Sequence, residues 1–146
     1  MTLYFTARLK RQRHRQVVIK YRRRSAKVDK GIAPLILALW QRGFWTISSC
    51  ERDADVYRVF DTLDGTVVAS EAAWVGFRTL SDAKRFRRLS RGRLVVPAAE
   101  DFEGASEESF EAGYSVPGMA GVMFSFTDIH AVLEAVRRSG RRPAKG

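Results

Sequence analysis

Val28-Asp29-Lys30-Gly31-Ile32-Ala33-Pro34-Leu35, continuing through Trp40, Gly43 and Thr46 to Ser48-Ser49-Cys50-Glu51, decides how the rest of this 146-residue chain is read. Ile32, Leu35, Ile36 and Leu39 follow the i, i+3, i+4, i+7 spacing of a helix with one buried stripe. Asp29 is expected as its N-cap, Pro34 falls in its first turn, and Gly43 is a natural stop. Residues 44–49 then read as a strand. Its end carries two hydroxyls, the chain's only thiol and a carboxylate, and strand ends commonly display functional groups.

Working outward, residues 2–9 and 16–23 alternate like strands and are expected to form a hairpin around a basic loop, with 25–28 as a linker. Residues 51–55 read as a polar turn, 56–60 as a short strand, and 67–79 as further strand. Ser81 is expected to cap a helix over 82–89 that Gly92 ends. Its inward residues would be Ala83, Phe86 and Leu89 or Ser90. Residues 94–96 and 122–126 read as strands, and residues 100–113 as an acidic loop. A last helix buries Ile129, Val132, Leu133 and Val136. This order predicts an α+β fold: a mixed or antiparallel sheet with about three helices, compatible with a ferredoxin-like split βαβ plus additions. One domain over 1–140 and a basic tail over 141–146 are expected.

The net charge is +10, and its layout matters more than its sum. Residues 1–30 hold eleven Lys/Arg and one acid, and residues 81–95 hold six and one, whereas residues 96–112 hold six acids and no base. Concentrated basic charge attracts phosphate backbones without reading sequence. The candidate nucleic-acid contacts are Arg11, Arg13, Arg15, Lys20, Arg22, Arg23 and Arg24, then Lys84, Arg85, Arg88 and Arg91. Tyr4, Phe5 and Tyr21 lie among the first group, and cationic grooves with stacking aromatics hold single strands. The competing reading is that the aromatics are core and the arginines merely solvated.

One cysteine permits no internal disulfide, and the first residues lack the order of a secretory signal, so a reducing cytoplasm is expected. No apolar run approaches a membrane span, so no membrane partner is expected. Two histidines and one cysteine make no recognisable zinc spacing, and no metal is expected. Cys50 and Glu51 are the weak catalytic candidates. A thiolate needs a base or a positive field, and only Arg52 is adjacent, with His14 and His130 far away in the chain. The competing reading makes Cys50 a small buried hydrophobe.

The stretch 28–51, with Trp74-Val75-Gly76-Phe77 leading to Asp82-Ala83 and Phe86, resembles a group of small bacterial and phage proteins. They share an Asp-x-x-Ile-x-Pro-Leu helix and a Ser-Cys-Glu strand end. Thr46-Ile47-Ser48-Ser49-Cys50 is also similar to part of the wybutosine-synthesis methyltransferase family. That similarity implies tRNA modification with S-adenosylmethionine. Where that family continues Ser-Gly-Arg, this chain has Glu51-Arg52-Asp53, and no glycine-rich cofactor loop occurs elsewhere, so no cofactor is expected. The leading expectation is a small accessory protein that contacts nucleic acid. The alternatives are an RNA-modifying enzyme centred on Cys50, or a protein-directed inhibitor or adaptor.

Overall fold

The structure, a computed structural model, describes residues 14–95 and 120–140. It opens on an antiparallel hairpin in which β1 (Gln16–Tyr21) pairs with β2 (Arg24–Asp29). Residues 22 and 23 make the turn, with Arg22 in the left-handed region at φ 58°. The linker expected over 25–28 is therefore the second strand of the hairpin. In register, Val17 stands opposite Val28 and Ile19 opposite Ala26, giving one apolar face that packs on the core. Ser25 and Lys27, on the other face, hide that alternation in the sequence. Residues 2–9, the partner expected for 16–23, lie outside the described residues.

Lys30–Ile32 forms a 3-10 turn that leads into α1 (Ala33–Gln41). Pro34 sits in the first turn of α1 as expected, and Gly43 leaves the helix at φ 88°. Asp29 does not cap it: its side chain makes no capping bond and is used elsewhere. The strand, turn and strand expected over 44–60 form one strand, β3 (Thr46–Asp61), paired with β4 (Val67–Phe77). The polar run over 51–55 lies within it, where the register shifts between Cys50 and Asp53 and again between Asp53 and Tyr57. Bulges accommodate polar residues that would otherwise argue for a turn.

Thr79, not Ser81, caps α2 (Leu80–Ser90), accepting from the Asp82 N–H at 3.2 Å. Arg91, at φ 57°, supplies the left-handed residue that closes this helix. Gly92 has a different role from the stop expected of it. A Cβ there would lie 2.7 Å from both the Met123 carbonyl oxygen and Val122 Cγ1. The other described elements are β5 (Arg93–Val95), β6 (Ala120–Ser125), a 3-10 turn over Phe126–Asp128, and α3 (Ile129–Arg138).

The larger sheet has the order β3-β4-β6-β5, antiparallel at every pairing. β4 and β5 thus run parallel, joined through α2 with β6 between them, which is a split βαβ unit. Among the described residues, three helices and two antiparallel sheets make the fold α+β. Alternation divides the sheet residues between two clusters. Ala73, Val75, Phe77, Ala120, Val122 and Phe124 pack with α1, α2, α3 and the hairpin. At its centre Phe44, Phe77, Phe86 and Phe124 form a chain with ring centroids 5.9, 5.3 and 5.8 Å apart. Ala72, Trp74 and Met123 pack with Cys50, Val56 and Phe60 in the second cluster. Among the described residues, no helix is long and apolar enough to cross a membrane.

Candidate functional site

The hairpin rests beside the first half of β3, and a groove of about 520 Å³ separates β2 from β3. Arg24 bridges one end of it. Its guanidinium donates to the Phe44 carbonyl at 3.3 Å and to the Thr46 carbonyl at 2.8 Å. It also lies 4.2 Å from the Trp40 ring centre and 5.2 Å from that of Trp45. Partial burial lowers the pKa of this guanidinium. Beneath it the Trp40 indole N–H donates to the Thr46 hydroxyl at 2.8 Å, which satisfies both buried groups.

Among the described residues, the groove is lined by Arg23, Arg24 and Lys27 and by Ser25, Thr46, Ser48 and Ser49, with no acidic residue. Two sequence features that read separately, the basic run and the Ser48-Ser49 strand end, therefore face one space. Trp45, 48% exposed, lies beyond the bridged end. Arg24 and Arg78 lie near its ring, Arg78 at 4.8 Å from the ring centre, and its backbone N–H donates to Asp82 of α2 at 2.9 Å. The other two tryptophans, Trp40 and Trp74, are core residues.

At the opposite end, β2 and β3 converge near Cys50. Asp29 Oδ2 accepts from the Glu51 N–H at 3.0 Å, and Oδ1 accepts from Gln16 Nε2 at 3.2 Å. Glu51 Oε1 accepts from the Gly31 N–H at 2.5 Å. A Cβ at residue 31 would lie 2.5 Å from that oxygen, so the glycine makes room for the carboxylate. Glu51 Oε2 lies 3.7 Å from His14 Nδ1, and His14 Nε2 lies 2.5 Å from the Arg52 carbonyl oxygen. The Cys50 side chain is 1% exposed. Desolvation, with smaller contributions from the charges of Asp29, Asp53 and Glu51, pushes its thiol up to about 12. Cys50 is thus a buried hydrophobic-cluster residue rather than an unassisted thiolate nucleophile. Glu51 also lines a second cavity of about 420 Å³, together with Arg52, Thr127 and His130.

The remaining sequence candidates divide by location. Arg15, Lys20, Arg22 and Arg23 are exposed on or beside the hairpin. Lys84, Arg88 and Arg91 are exposed on α2 and its C-cap. Arg85 is half-buried, pairs with Asp82 at 3.1 Å and lies 4.0 Å from the Phe44 ring centre. Arg11, Arg13 and the acidic run 100–111 lie outside the described residues. Sequence reading missed His14 and Asp29 as neighbours of Cys50. Pairing of residues 16 and 29 across the hairpin, for which the sequence carries no clear signal, is what brings them there.

Comparisons with protein-family models, with curated proteins and with solved structures find no match to this chain. The resemblances carried by the 28–51 motif rest on the quoted residues alone.

Proposed function

We infer that the chain is an accessory protein that binds single-stranded nucleic acid, its phosphates held in the groove between β2 and β3. One observation supports this reading: among the described residues, the groove lining includes three cationic residues, four hydroxyl-bearing residues and no acidic one. Cationic and hydroxyl donors are the groups that hold phosphate oxygens. Arg24 is committed to backbone carbonyls, so the exposed Arg23 and Lys27 are the cations offered to phosphate. The exposed Trp45 ring at the groove end offers a stacking face for a base. These contacts carry no sequence readout.

The test is binding of a labelled single-stranded oligonucleotide across a salt series. Affinity should fall steeply with salt, and the joint change Arg23→Ala, Lys27→Ala should lower the log–log slope by about 0.7 for each phosphate left unneutralised. Trp45→Ala should weaken binding and abolish quenching of its fluorescence by the strand. Absence of binding at low salt removes this reading.

A second observation favours a protein contact elsewhere. β6 pairs with β4 only over Ala72–Phe77, so the ribbon formed by Tyr57–Asp61 and Val67–Glu71 extends beyond the sheet. One of its faces is covered at Val56, Phe60 and Ser70, while Tyr57, Val59, Ala69 and Val67 are exposed on the other. An exposed apolar face of this kind suits a protein surface. Recovery of the free protein alone from its native host would count against an adaptor role.

A further inference from the structure

His14, Asp29 and Cys50 come from three separate segments: the residues before β1, the end of β2, and β3. One donor atom from each, a ring nitrogen, a carboxylate oxygen and the thiol sulfur, lies within 4.8 Å of the other two. A tetrahedral zinc site with these ligand types spaces its donors roughly 3.3–3.8 Å apart, given bonds of about 2.0–2.3 Å.

The surroundings have the form of an outer coordination shell. A carbonyl oxygen only accepts, so His14 Nε2 carries the ring proton and donates it to Arg52. The other ring nitrogen, Nδ1, is turned towards Glu51 at 3.7 Å. Metal-bound histidines characteristically anchor their second nitrogen in this way. Asp29 is oriented by Gln16 and by the Glu51 N–H, one bond to each oxygen, and a carboxylate oxygen has a second lone pair for a metal. Glu51 is itself fixed by the Gly31 N–H, with its other oxygen beside His14. Asp29 and Cys50 are buried, and His14 is half-buried. Two carboxylates and a thiol thus converge around one imidazole within a chain of net charge +10.

We propose that His14, Asp29 and Cys50 form a binding site for a transition-metal dication of the zinc class, with Glu51 beside it as fourth ligand or as acceptor for a bound water. Mixed nitrogen, sulfur and carboxylate donors select such an ion over calcium or magnesium. Binding releases the thiol proton to solvent and forms the sulfur–metal bond. Because its ligands lie on both sheets, the ion fastens the hairpin to β3 at the end of the groove opposite Arg24. The proposal does not rest on nucleic-acid binding.

The test uses the full chain, stripped of metal and titrated with Co²⁺. One cobalt per chain should bind, with the strong visible absorption of four-coordinate cobalt and a near-ultraviolet thiolate-to-cobalt charge-transfer band. Zn²⁺ should displace it and raise the melting temperature. Cys50→Ser should abolish the charge-transfer band. His14→Asn, at a half-buried position outside the core, should lower Zn²⁺ affinity at least tenfold. His130→Gln should leave it unchanged. If Cys50→Ser fails to fold, the His14 variant still decides the matter. Folded wild-type protein that shows no charge-transfer band overturns the proposal, as does Co²⁺ binding unaltered by His14→Asn. Oligonucleotide binding by the metal-free chain tests the groove separately.

Discussion

Arg24 and Arg23 are sequence neighbours with the same side chain in the same groove, yet the structure gives them different work. Arg24→Met keeps most of the aliphatic stem and removes the fork. With the fork go a 2.8 Å bond to the Thr46 carbonyl, a longer one at 3.3 Å to the Phe44 carbonyl, and the stack over Trp40 at 4.2 Å. A hydrogen bond to a charged group contributes about 1.5–3 kcal/mol, and the 3.3 Å bond belongs below that range. The stack adds roughly 0.5–1 kcal/mol at a partly exposed site. Partial exposure of the guanidinium favours the low end, so the expected destabilisation is about 2–3 kcal/mol. For a chain of this size that is a fall of roughly 6–10 °C in melting temperature. Arg24→Lys should recover little, because an ammonium cannot span two carbonyls in one plane. Arg23→Ala, by contrast, should stay within about 0.5 kcal/mol of wild type, as exposed substitutions do. The assay is urea unfolding followed by circular dichroism, with the slope checked for constancy. If Arg24→Met unfolds at the wild-type urea midpoint, or Arg23→Ala falls as far as Arg24→Met, the separation of a bridging arginine from a ligand-binding one is wrong.

Other outcomes follow from local geometry. In the metal-free protein the Cys50 thiol, pushed up to about 12 by burial, should alkylate at about pH 8 roughly a thousandfold more slowly than in denaturant. Equal rates would show the side chain to be accessible. Gly92→Ala places a methyl 2.7 Å from the Met123 carbonyl oxygen, which is backbone and cannot swing aside. Denaturant titration should show a destabilisation of about 1–3 kcal/mol, and an unchanged midpoint would contradict the close approach. The Thr62 hydroxyl, with the Thr66 N–H and hydroxyl, holds the Asp64 carboxyl down at about 2. Its unfolded value is about 3.9, so the stabilisation is complete above that pH and is lost as pH falls towards about 2. Asp64→Asn should flatten the acid limb of the stability profile between roughly pH 4 and 2. A limb of wild-type steepness there would place the acid sensitivity elsewhere.

Helices are legible where their apolar spacing is unbroken. Val132, Leu133 and Val136, and likewise Ala83, Phe86 and Ser90, are buried as their periodicity requires. Caps are less so: Thr79 and Ser81 are both good capping residues one turn from the same stripe, and only backbone geometry chooses between them. β3 is hard to read because its middle is polar. Glu51 to Asp55 break the alternation, and the bulges that absorb them are a tertiary adjustment to β4. Strand β2 escapes notice because two of its residues, Ser25 and Lys27, look like a linker. With β2 hidden, the cluster is hidden too. Asp29 in a cap and His14 in a loop have no reason to meet Cys50, whereas Asp29 at the end of a strand beside β3 does. The basic run and Ser48-Ser49 are each visible, and their sharing of one groove is not.

The approach of Glu51 to the Gly31 backbone also bears on how this chain tolerates mutation. With an acceptor of glutamate length at 51, the smallest side chain at 31 meets a carboxylate oxygen at 2.5 Å. A shorter acceptor, aspartate or serine, would vacate that space. Gly31→Ala should therefore cost little, because the carboxylate it meets is the far end of a flexible side chain that can swing off the Gly31 N–H, and Glu51→Asp should lose the same reach.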